Sequence, residues 1–195
     1  MPNESDQALL VASLDDREAV GILYERYRDR IFRWLMCTVM DRDVAEDLTE
    51  TVFARMVDNL PRLARSNVPL LPWLYRVAHN ETVSWYRHNH SAQRYLKTAR
   101  LPDCCPDTDY DEAVADAENH RDELRAAAGR LTPFERECLH LRYVEQMKPR
   151  EIARVLSCSA RQASNALHHA LSVLRTAISD NLPGSRYPNR EVSRS

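Results

Sequence analysis

The chain has 195 residues, 44% of them hydrophobic, and a formal net charge of −2 at pH 7. This length allows one large core or two small ones. Only three glycines and three phenylalanines are present, which argues against sheets, because sheets need aromatic or β-branched residues and glycine-rich turns. The composition predicts an all-α protein.

The sequence also indicates where the protein works. No run approaches the roughly 18 apolar residues of a membrane span, and residues 1 to 7 are polar, without the apolar core of a signal peptide. The five cysteines are odd in number and have no C-x-x-C spacing, which favours reduced thiols over disulfides or a zinc site. We therefore expect a cytoplasmic protein that holds no metal and no other cofactor.

Charge is segregated along the chain. Residues 1 to 54 carry 6 basic and 12 acidic side chains, and residues 55 to 97 carry 7 and 2. Residues 98 to 120 carry 1 and 7, and residues 121 to 195 carry 13 and 8. The basic blocks suit phosphates and the acidic blocks suit a basic protein surface, although ordinary solvated helix faces would give the same pattern.

The first 60 residues predict two amphipathic helices. Apolar residues at steps of three and four predict the first helix over residues 16 to 40. The second begins near Asp43, whose carboxylate would cap the first turn while Glu46 reaches back as in a capping box, and Pro61 ends it. Residues 62 to 71 are predicted to be a loop with exposed polar atoms.

A third helix is predicted from Pro72, which suits a first turn because its missing N–H costs little there, to about His90. Five aromatic or polar residues recur along it at steps of three or four and therefore share one face. These residues are Trp73, Arg76, Asn80, Ser84 and Arg87. The face combines an aromatic ring, two guanidinium groups and two hydrogen-bonding side chains.

The pattern changes after this helix. Residues 98 to 120 contain two prolines and seven acidic residues instead of a helical period, so they predict an acidic linker between two small helical domains, residues 1 to 97 and 121 to 180. Four short helices are predicted in the second domain. One of them begins with TPFE at residues 132 to 135, which supplies a capping threonine, a first-turn proline and a reciprocal glutamate. Residues 181 to 195 predict a disordered basic tail.

The last two helices of the second domain predict a helix-turn-helix. Residues 149 to 156 and 160 to about 179 are separated by three residues, Ser157-Cys158-Ser159, as that motif requires. The apolar residues of the longer helix face inward. The side chains that remain outward are Arg161, Gln162, Ser164, Asn165, His168 and His169.

Three runs of the sequence match the motifs of one protein family in order and spacing. The first run is DVAEDLTETVF from residue 43, the second is PWLYRVAHN from residue 72, and the third is LTP from residue 131 followed by EIARVL from residue 151. They resemble the second conserved helix, the promoter-melting helix and the C-terminal helix-turn-helix of the extracytoplasmic-function sigma factors of bacterial RNA polymerase. The resemblance extends from about residue 20 to residue 175.

The resemblance implies a sigma factor that binds core polymerase, recognises two promoter elements and melts DNA to start transcription. In that family the acidic second helix docks on the largest polymerase subunit, and the matching positions are Asp43, Glu46, Asp47 and Glu50. The helix from Pro72 would meet the minus-ten element, where an unstacked base must be held by rings, planar cations and positive charge. The residues assigned to it are Asn67, Trp73, Arg76, Asn80, Ser84, Arg87 and His88.

The final helix would read the minus-thirty-five element in the major groove. Gln162 and Asn165 can make paired hydrogen bonds to adenine, and Arg161 can contact guanine or phosphate. Ser164, His168 and His169 complete the face assigned to this element. The family often uses an anti-sigma protein, which would cover these same surfaces and is a further candidate partner.

The sequence departs from the family pattern in its helix-turn-helix. The family usually has glycine where Ser157 stands, threonine at Gln162, and basic residues at Ser164, Ala166 and His169. Fewer cations neutralise fewer phosphates, so we expect weaker DNA binding than is usual for the family.

Two other classes of protein compete with this interpretation. A helix-turn-helix regulator that acts without polymerase would use the first 97 residues to dimerise or bind an effector, and the match from residue 43 to residue 53 argues against it. An enzyme would need a motif such as H-E-x-x-H or a glycine-rich phosphate loop, and neither is present in the sequence. We therefore expect a protein that is not an enzyme.

Overall fold

The computed structural model describes residues 5–66, 68–88 and 126–180. Within these ranges the chain is helical and has no strand, which confirms the all-α prediction. A helical segment at residues 126–130 precedes α6. The predicted linker at 98–120 and tail at 181–195 lie outside the described residues. The helices are α1 (Asp6–Ala12), α2 (Arg17–Val39), α3 (Arg42–Asp58), α4 (Leu60–Arg65), α5 (Leu70–His88), α6 (Pro133–Tyr143), α7 (Pro149–Val155) and α8 (Ala160–Asp180).

Helices α2, α3 and α5 pack against one another and form the core of the N-terminal domain. Most of the apolar residues that recur at helical spacing in them are buried. The others pack against this core while partly exposed, and they are Val20, Tyr24, Val44, Val77 and Trp85. Tyr24 of α2 and Phe53 of α3 add an edge-to-face contact, with ring centroids 4.7 Å apart. The fully buried side chains of this core include Leu23, Ile31, Trp34, Leu35, Met56, Leu70 and Leu74.

The N-terminal domain also contains α1, a helix that the apolar periodicity does not predict. Leu9 and Leu10 are buried. The Asp6 carboxylate forms an ion pair with Arg26 of α2 at 2.7 Å and accepts a hydrogen bond from the Tyr27 hydroxyl. Seven residues are too few to form a stable helix alone, so α1 depends on its packing against α2.

The predicted start of α3 is wrong by two residues. The N-cap is Asp41, whose Oδ1 accepts the backbone N–H of Val44 at 3.1 Å, while Asp43 lies in the first helical turn. The physical reason is the connection from α2, which ends at Met40 in the left-handed conformation with φ of 57°. This tight reversal leaves Asp41 as the residue that enters the new helix.

The predicted loop over residues 62 to 71 is also partly wrong. Helix α4 covers its first four residues, and α5 begins at Leu70, two residues before Pro72. Pro61 lies in the first turn of α4, where the missing N–H has no helical partner to lose, so it opens a helix as well as following one. Leu60 and Leu63 are buried and hold this short helix on the core.

The predicted capping box of the C-terminal domain is confirmed. The Thr132 Oγ1 accepts the N–H of Glu135 at 3.3 Å, and Glu135 Oε2 accepts the N–H of Thr132 at 2.8 Å. These bonds satisfy two donors at the start of α6 that no helical carbonyl can reach.

The predicted helix-turn-helix is formed by α7, α8 and the turn at residues 156–159. Ala163, Leu167 and Ala170 of α8 are buried, as the inward stripe predicts. Ser157 lies in the turn with φ of 52°, in the left-handed region that favours glycine. The turn therefore places a serine where a glycine would be less strained.

The two domains pack directly against each other, which the sequence does not predict. Helix α6 lies against α2, and α7 lies against α5. The buried apolar residues of both domains form one continuous cluster. Across the boundary, the guanidinium Nη2 of Arg136 donates a hydrogen bond to the carbonyl of Thr38 at 2.9 Å. We use "closed arrangement" for this contact between the domains.

Candidate partner and nucleic-acid interfaces

An acidic stripe runs along the exposed side of α3. Asp43, Asp47 and Glu50 follow at steps of four and three residues, so they lie on one side of the helix, and all three are exposed. Glu46 lies beside them, half-buried, and pairs with Arg42 at 2.9 Å. The structure thus brings together the four predicted docking residues. Three of their carboxylates have no ion pair within the described part of the chain, so they can meet basic groups on a partner.

The predicted minus-ten face on α5 is only partly exposed. Arg76, Asn80 and Arg87 are exposed, whereas Trp73 and Ser84 are half-buried. Of the other two predicted residues, His88 is exposed and hydrogen-bonds through Nδ1 to the Ser84 carbonyl at 2.8 Å, and Asn67 lies outside the described residues. The described members of this face occupy one helix side, with cationic groups at both ends.

A groove of about 530 Å³ lies where this face meets the C-terminal domain. Trp73 and Arg76 line one side of it. The opposite side is formed by the loop between α6 and α7 and by α7 itself, which contribute Glu145, Met147 and Arg154. In the closed arrangement the first turns of α5 are therefore separated from the helix-turn-helix domain only by a narrow space.

Two carboxylates of the C-terminal domain contact the N-terminal domain, and one of them, Glu145, also lines this groove. Glu145 accepts a hydrogen bond from the Tyr75 hydroxyl at 2.7 Å and forms an ion pair with Arg30. Glu137 lies 3.0 Å from Nδ1 of His79. Both carboxylate side chains are only 3% exposed, so each depends on these partners for its solvation.

The surroundings shift the pKa values of the two carboxyls in opposite directions. Burial raises the pKa of Glu137, and the neighbouring His79 only partly offsets that effect. Burial alone would also raise the pKa of Glu145, but His140, Tyr75 and Arg30 favour its charged form and hold the pKa at about 2. Glu145 is therefore a stable anion at neutral pH.

The predicted minus-thirty-five face is the open side of α8. Arg161, Asn165 and His168 are exposed and follow at steps of four and three, so they form one row along the helix. Ser164 is half-buried beside this row. Because the row begins at the start of α8, it suits insertion of the helix N-terminus into a groove.

The other two predicted residues of α8 are engaged within the protein. Gln162 Oε1 accepts hydrogen bonds from the N–H and hydroxyl of Ser159, both at 2.9 Å, and its own N–H donates to Ser159 Oγ at 3.2 Å. His169 Nδ1 lies 2.6 Å from Oε1 of Glu135 and links α8 to α6. Gln162 cannot bind adenine through both amide groups without releasing this cap.

The cap formed by Gln162 could have been recognised from the sequence, whereas the interdomain contacts of Glu145 could not. Ser159 and Gln162 have the S-x-x-Q spacing of a capping box, which identifies the cap without a structure. The partners of Glu145 lie 70 and 115 residues away in the sequence. No local pattern could have indicated that contact.

None of the described helices is long and apolar enough to cross a membrane. In the same residues, no group of three or more His, Cys, Asp or Glu side chains is placed to hold a metal ion.

An acidic stripe, a polar and aromatic helix face and a helix-turn-helix on two joined helical domains define a DNA-binding transcription protein. Family comparison agrees with this class: the Sigma-70 region 2 model matches residues 23–92, and the Sigma-70 region 4 model matches residues 121–174. The chain belongs to the sigma-70 superfamily and, within it, to the extracytoplasmic-function (ECF) RNA polymerase sigma factors.

Curated relatives span nearly the whole chain. The RNA polymerase sigma factor YlaC of Bacillus subtilis is 25% identical over 89% of this chain and 98% of its own length. The ECF sigma factor SigX of the same organism is 28% identical over 81% of this chain and 82% of its own. BldN, an ECF sigma factor of Streptomyces coelicolor, is 24% identical over 91% of this chain and 69% of its own.

Two solved structures share the fold. CnrH, in complex with the cytosolic domain of CnrY, has a TM-score of 0.63 and 18% identity, covering 92% of this chain and 100% of CnrH. The sigma factor RpoE of Bartonella quintana, in complex with the anti-sigma factor NepR, has a TM-score of 0.65 and 14% identity, covering 83% of this chain and 98% of RpoE. The likeness supports the two-domain helical architecture.

Proposed function

We propose that this sigma factor uses three separate surfaces, one for polymerase and two for the promoter. The acidic stripe on α3 docks on core polymerase. The α5 face holds the melted minus-ten element, and the row on α8 reads the minus-thirty-five element. The domain bounds that go with these roles are residues 1 to 97 and 121 to 180, joined by the acidic segment 98 to 120.

The observation that best supports the docking role is the set of free carboxylates on α3. An exposed acid in the first turn of a helix can be explained by the helix dipole alone, but Asp47 and Glu50 lie beyond that turn. They are exposed and without an ion pair among the described residues. A row of like charges on one helix side is suited to a basic partner surface and to electrostatic steering of the encounter.

The promoter roles are supported by the chemistry of the two helical faces. Trp73 and Arg76 can stack on an unpaired base, and Arg87 can neutralise a phosphate. Asn165 offers an amide that can pair with the edge of adenine in the major groove. The protein acts by binding, without catalytic chemistry of its own, and works in the cell interior beside the polymerase. An anti-sigma protein of the kind that binds RpoE is a further partner.

The test is transcription in vitro with bacterial core polymerase and a library of promoter fragments. We expect promoter-specific transcripts from the wild type and their loss with the Asp47→Lys, Glu50→Lys double variant, because the reversed charges repel the basic partner surface. The matched control is Asp15→Lys with Glu25→Lys, which makes the same charge change at exposed positions outside α3.

Equal activity of both double variants would contradict docking through α3. DNA binding by the protein alone, with no transcripts from core polymerase, would instead support the helix-turn-helix regulator.

A further inference from the structure

Besides the hydrogen bond from Arg136 to the Thr38 carbonyl, polar contacts between the domains involve two glutamates. Glu145 is bound by Tyr75 and Arg30, and Glu137 is bound by His79. All three partners belong to the N-terminal domain, and both glutamates belong to the C-terminal domain. The domains are therefore joined by matched charges and hydrogen bonds as well as by apolar packing.

The loop that carries Glu145 is held in place by its own backbone. The N–H groups of Glu145 and Met147 donate to the carbonyls of His140 and Leu141 at 3.2 and 2.9 Å. Gln146, between them, has φ of 55°, a left-handed conformation that a non-glycine residue adopts only when its surroundings require it. Glu145 is thus presented to the N-terminal domain by a preformed turn.

A buried carboxylate held by hydrogen bonds or by a charged partner specifies an arrangement more than it stabilises it. Each carboxylate loses water on closing and regains it on opening, so the net free energy of the contact is smaller than the strength of its bonds. Removing one partner is more disruptive, because the remaining charge stays buried without compensation. Such a contact suits an interface that must open.

The closed arrangement is too small to contact both promoter elements. Their names place the element centres about 25 base pairs apart, which is roughly 85 Å along DNA at about 3.4 Å per base pair. A compact chain of this length has a radius of gyration of roughly 16 Å and a diameter on the order of 40 Å. In addition, Trp73 and Arg76 face the helix-turn-helix domain across the groove.

We propose that the contacts of Glu145 with Tyr75 and Arg30 form a latch that holds the free protein in a closed state unable to engage a promoter. Release of the latch frees the start of the α5 face and lets the two domains separate along the DNA. The inference rests on the proposed promoter roles of α5 and α8. Its first test, however, measures only the shape of the protein.

That test is small-angle X-ray scattering on the full chain. In the Glu145→Gln variant and in the Arg30→Gln, Tyr75→Phe double variant, we expect the radius of gyration to rise by at least about 2 Å over the wild type, because separating the domains moves their mass away from the common centre. Glu25→Gln is the matched control, because it removes the same charge at an exposed position of α2. Far-UV circular dichroism checks that helix content is retained.

The double variant keeps Glu145 and changes a half-exposed arginine and one hydroxyl, so it decides the question if Glu145→Gln unfolds. An unchanged radius of gyration in a folded variant would overturn the latch. It would do so whatever the transcription assay shows.

The second test is the concentration of protein that gives half-maximal promoter-specific transcription with core polymerase. If about a tenth of the wild type is open, complete opening lowers this concentration about tenfold, because apparent affinity scales with the competent fraction. Glu25→Gln should leave it unchanged. A larger radius with an unchanged half-maximal concentration would overturn the claim that the closed state excludes promoters. Absence of transcripts from the wild type would contradict the proposed function and leave the scattering result to judge the latch.

Discussion

The two faces assigned to promoter DNA differ in their surroundings. On α8, Arg161, Asn165 and His168 form an exposed row along one side of the helix. On α5, Trp73 is half-buried and shares a groove with the other domain, together with Arg76. The α8 row is available in the closed arrangement, whereas the α5 face is confined at its start.

The protein therefore prepares its two DNA contacts to different degrees. Reading a duplex groove requires a rigid row of side chains and no movement of the protein. Holding an unstacked base requires a protein site that the base can enter once the strands have separated. A change on α8 should therefore alter affinity alone, while a change on α5 should also alter the balance between closed and open protein.

The largest effect is expected from removing the stacking and charged groups of α5. The Trp73→Ala, Arg76→Ala double variant should bind a forked promoter with an unpaired minus-ten strand at least about 30-fold more weakly, since base stacking is worth about 1–3 kcal/mol per base and one cation is also lost. Binding would be measured in the complex with core polymerase. Arg62→Ala, an exposed arginine of α4, is the control for charge. Unchanged binding by the folded double variant would show that Trp73 and Arg76 of α5 do not contact the promoter.

A smaller effect is expected on α8, where two amide side chains should behave differently. Asn165→Ala should relax the preference for one base pair of the minus-thirty-five element by about 1–3 kcal/mol. Gln162→Ala should leave base preference unchanged and lower the free energy of unfolding by about 0.5–2 kcal/mol, because its acceptor completes the cap with Ser159. Binding to a set of single-base promoter variants and urea denaturation separate the two results. Loss of base preference in Gln162→Ala but not in Asn165→Ala would reverse these assignments.

The sequence predicted the features that depend on local pattern. The apolar stripe of α2 and the capping box from Thr132 to Glu135 were confirmed, because periodicity and capping act within a few residues. The N-cap of α3 was wrong because Asp41 and Asp43 both fit a capping position, and only the left-handed Met40 decides between them. The row of acids on α3 could likewise be placed on one face from its spacing.

The closed arrangement could not be predicted because its partners are distant in the sequence. In the sequence, Tyr75 looks like one more apolar residue of α5. In the structure it is fully buried, its ring contacts Trp34, and its hydroxyl donates a hydrogen bond to Glu145 of the other domain. Glu145 reads as an ordinary loop acid. Nothing in the periodicity of either segment distinguishes a buried interdomain pair from a solvated one.

The smallest effect is expected in the turn that sets the start of α8. Ser157→Gly should raise the free energy of unfolding by about 0.5–1 kcal/mol, because a residue with φ of 52° is strained unless it is glycine, and glycine's extra freedom in the unfolded chain cancels part of the gain. Chemical denaturation followed by circular dichroism measures the change. Ser159→Ala, two residues on, should act in the opposite direction by about 0.5–2 kcal/mol, because it removes the cap.

The same pair of variants tests whether the α8 row is rigid in the free protein. If the α8 row is rigid and ready, relieving strain at Ser157 should change stability without changing the preference for minus-thirty-five base pairs. Ser159→Ala frees Gln162, so it should leave the Asn165 contact intact while loosening the first turn of the helix. A shift in base preference with Ser157→Gly would mean that the turn tunes the angle of α8. The row would then depend on strain for its alignment, just as the α5 face depends on the closed arrangement for its exposure.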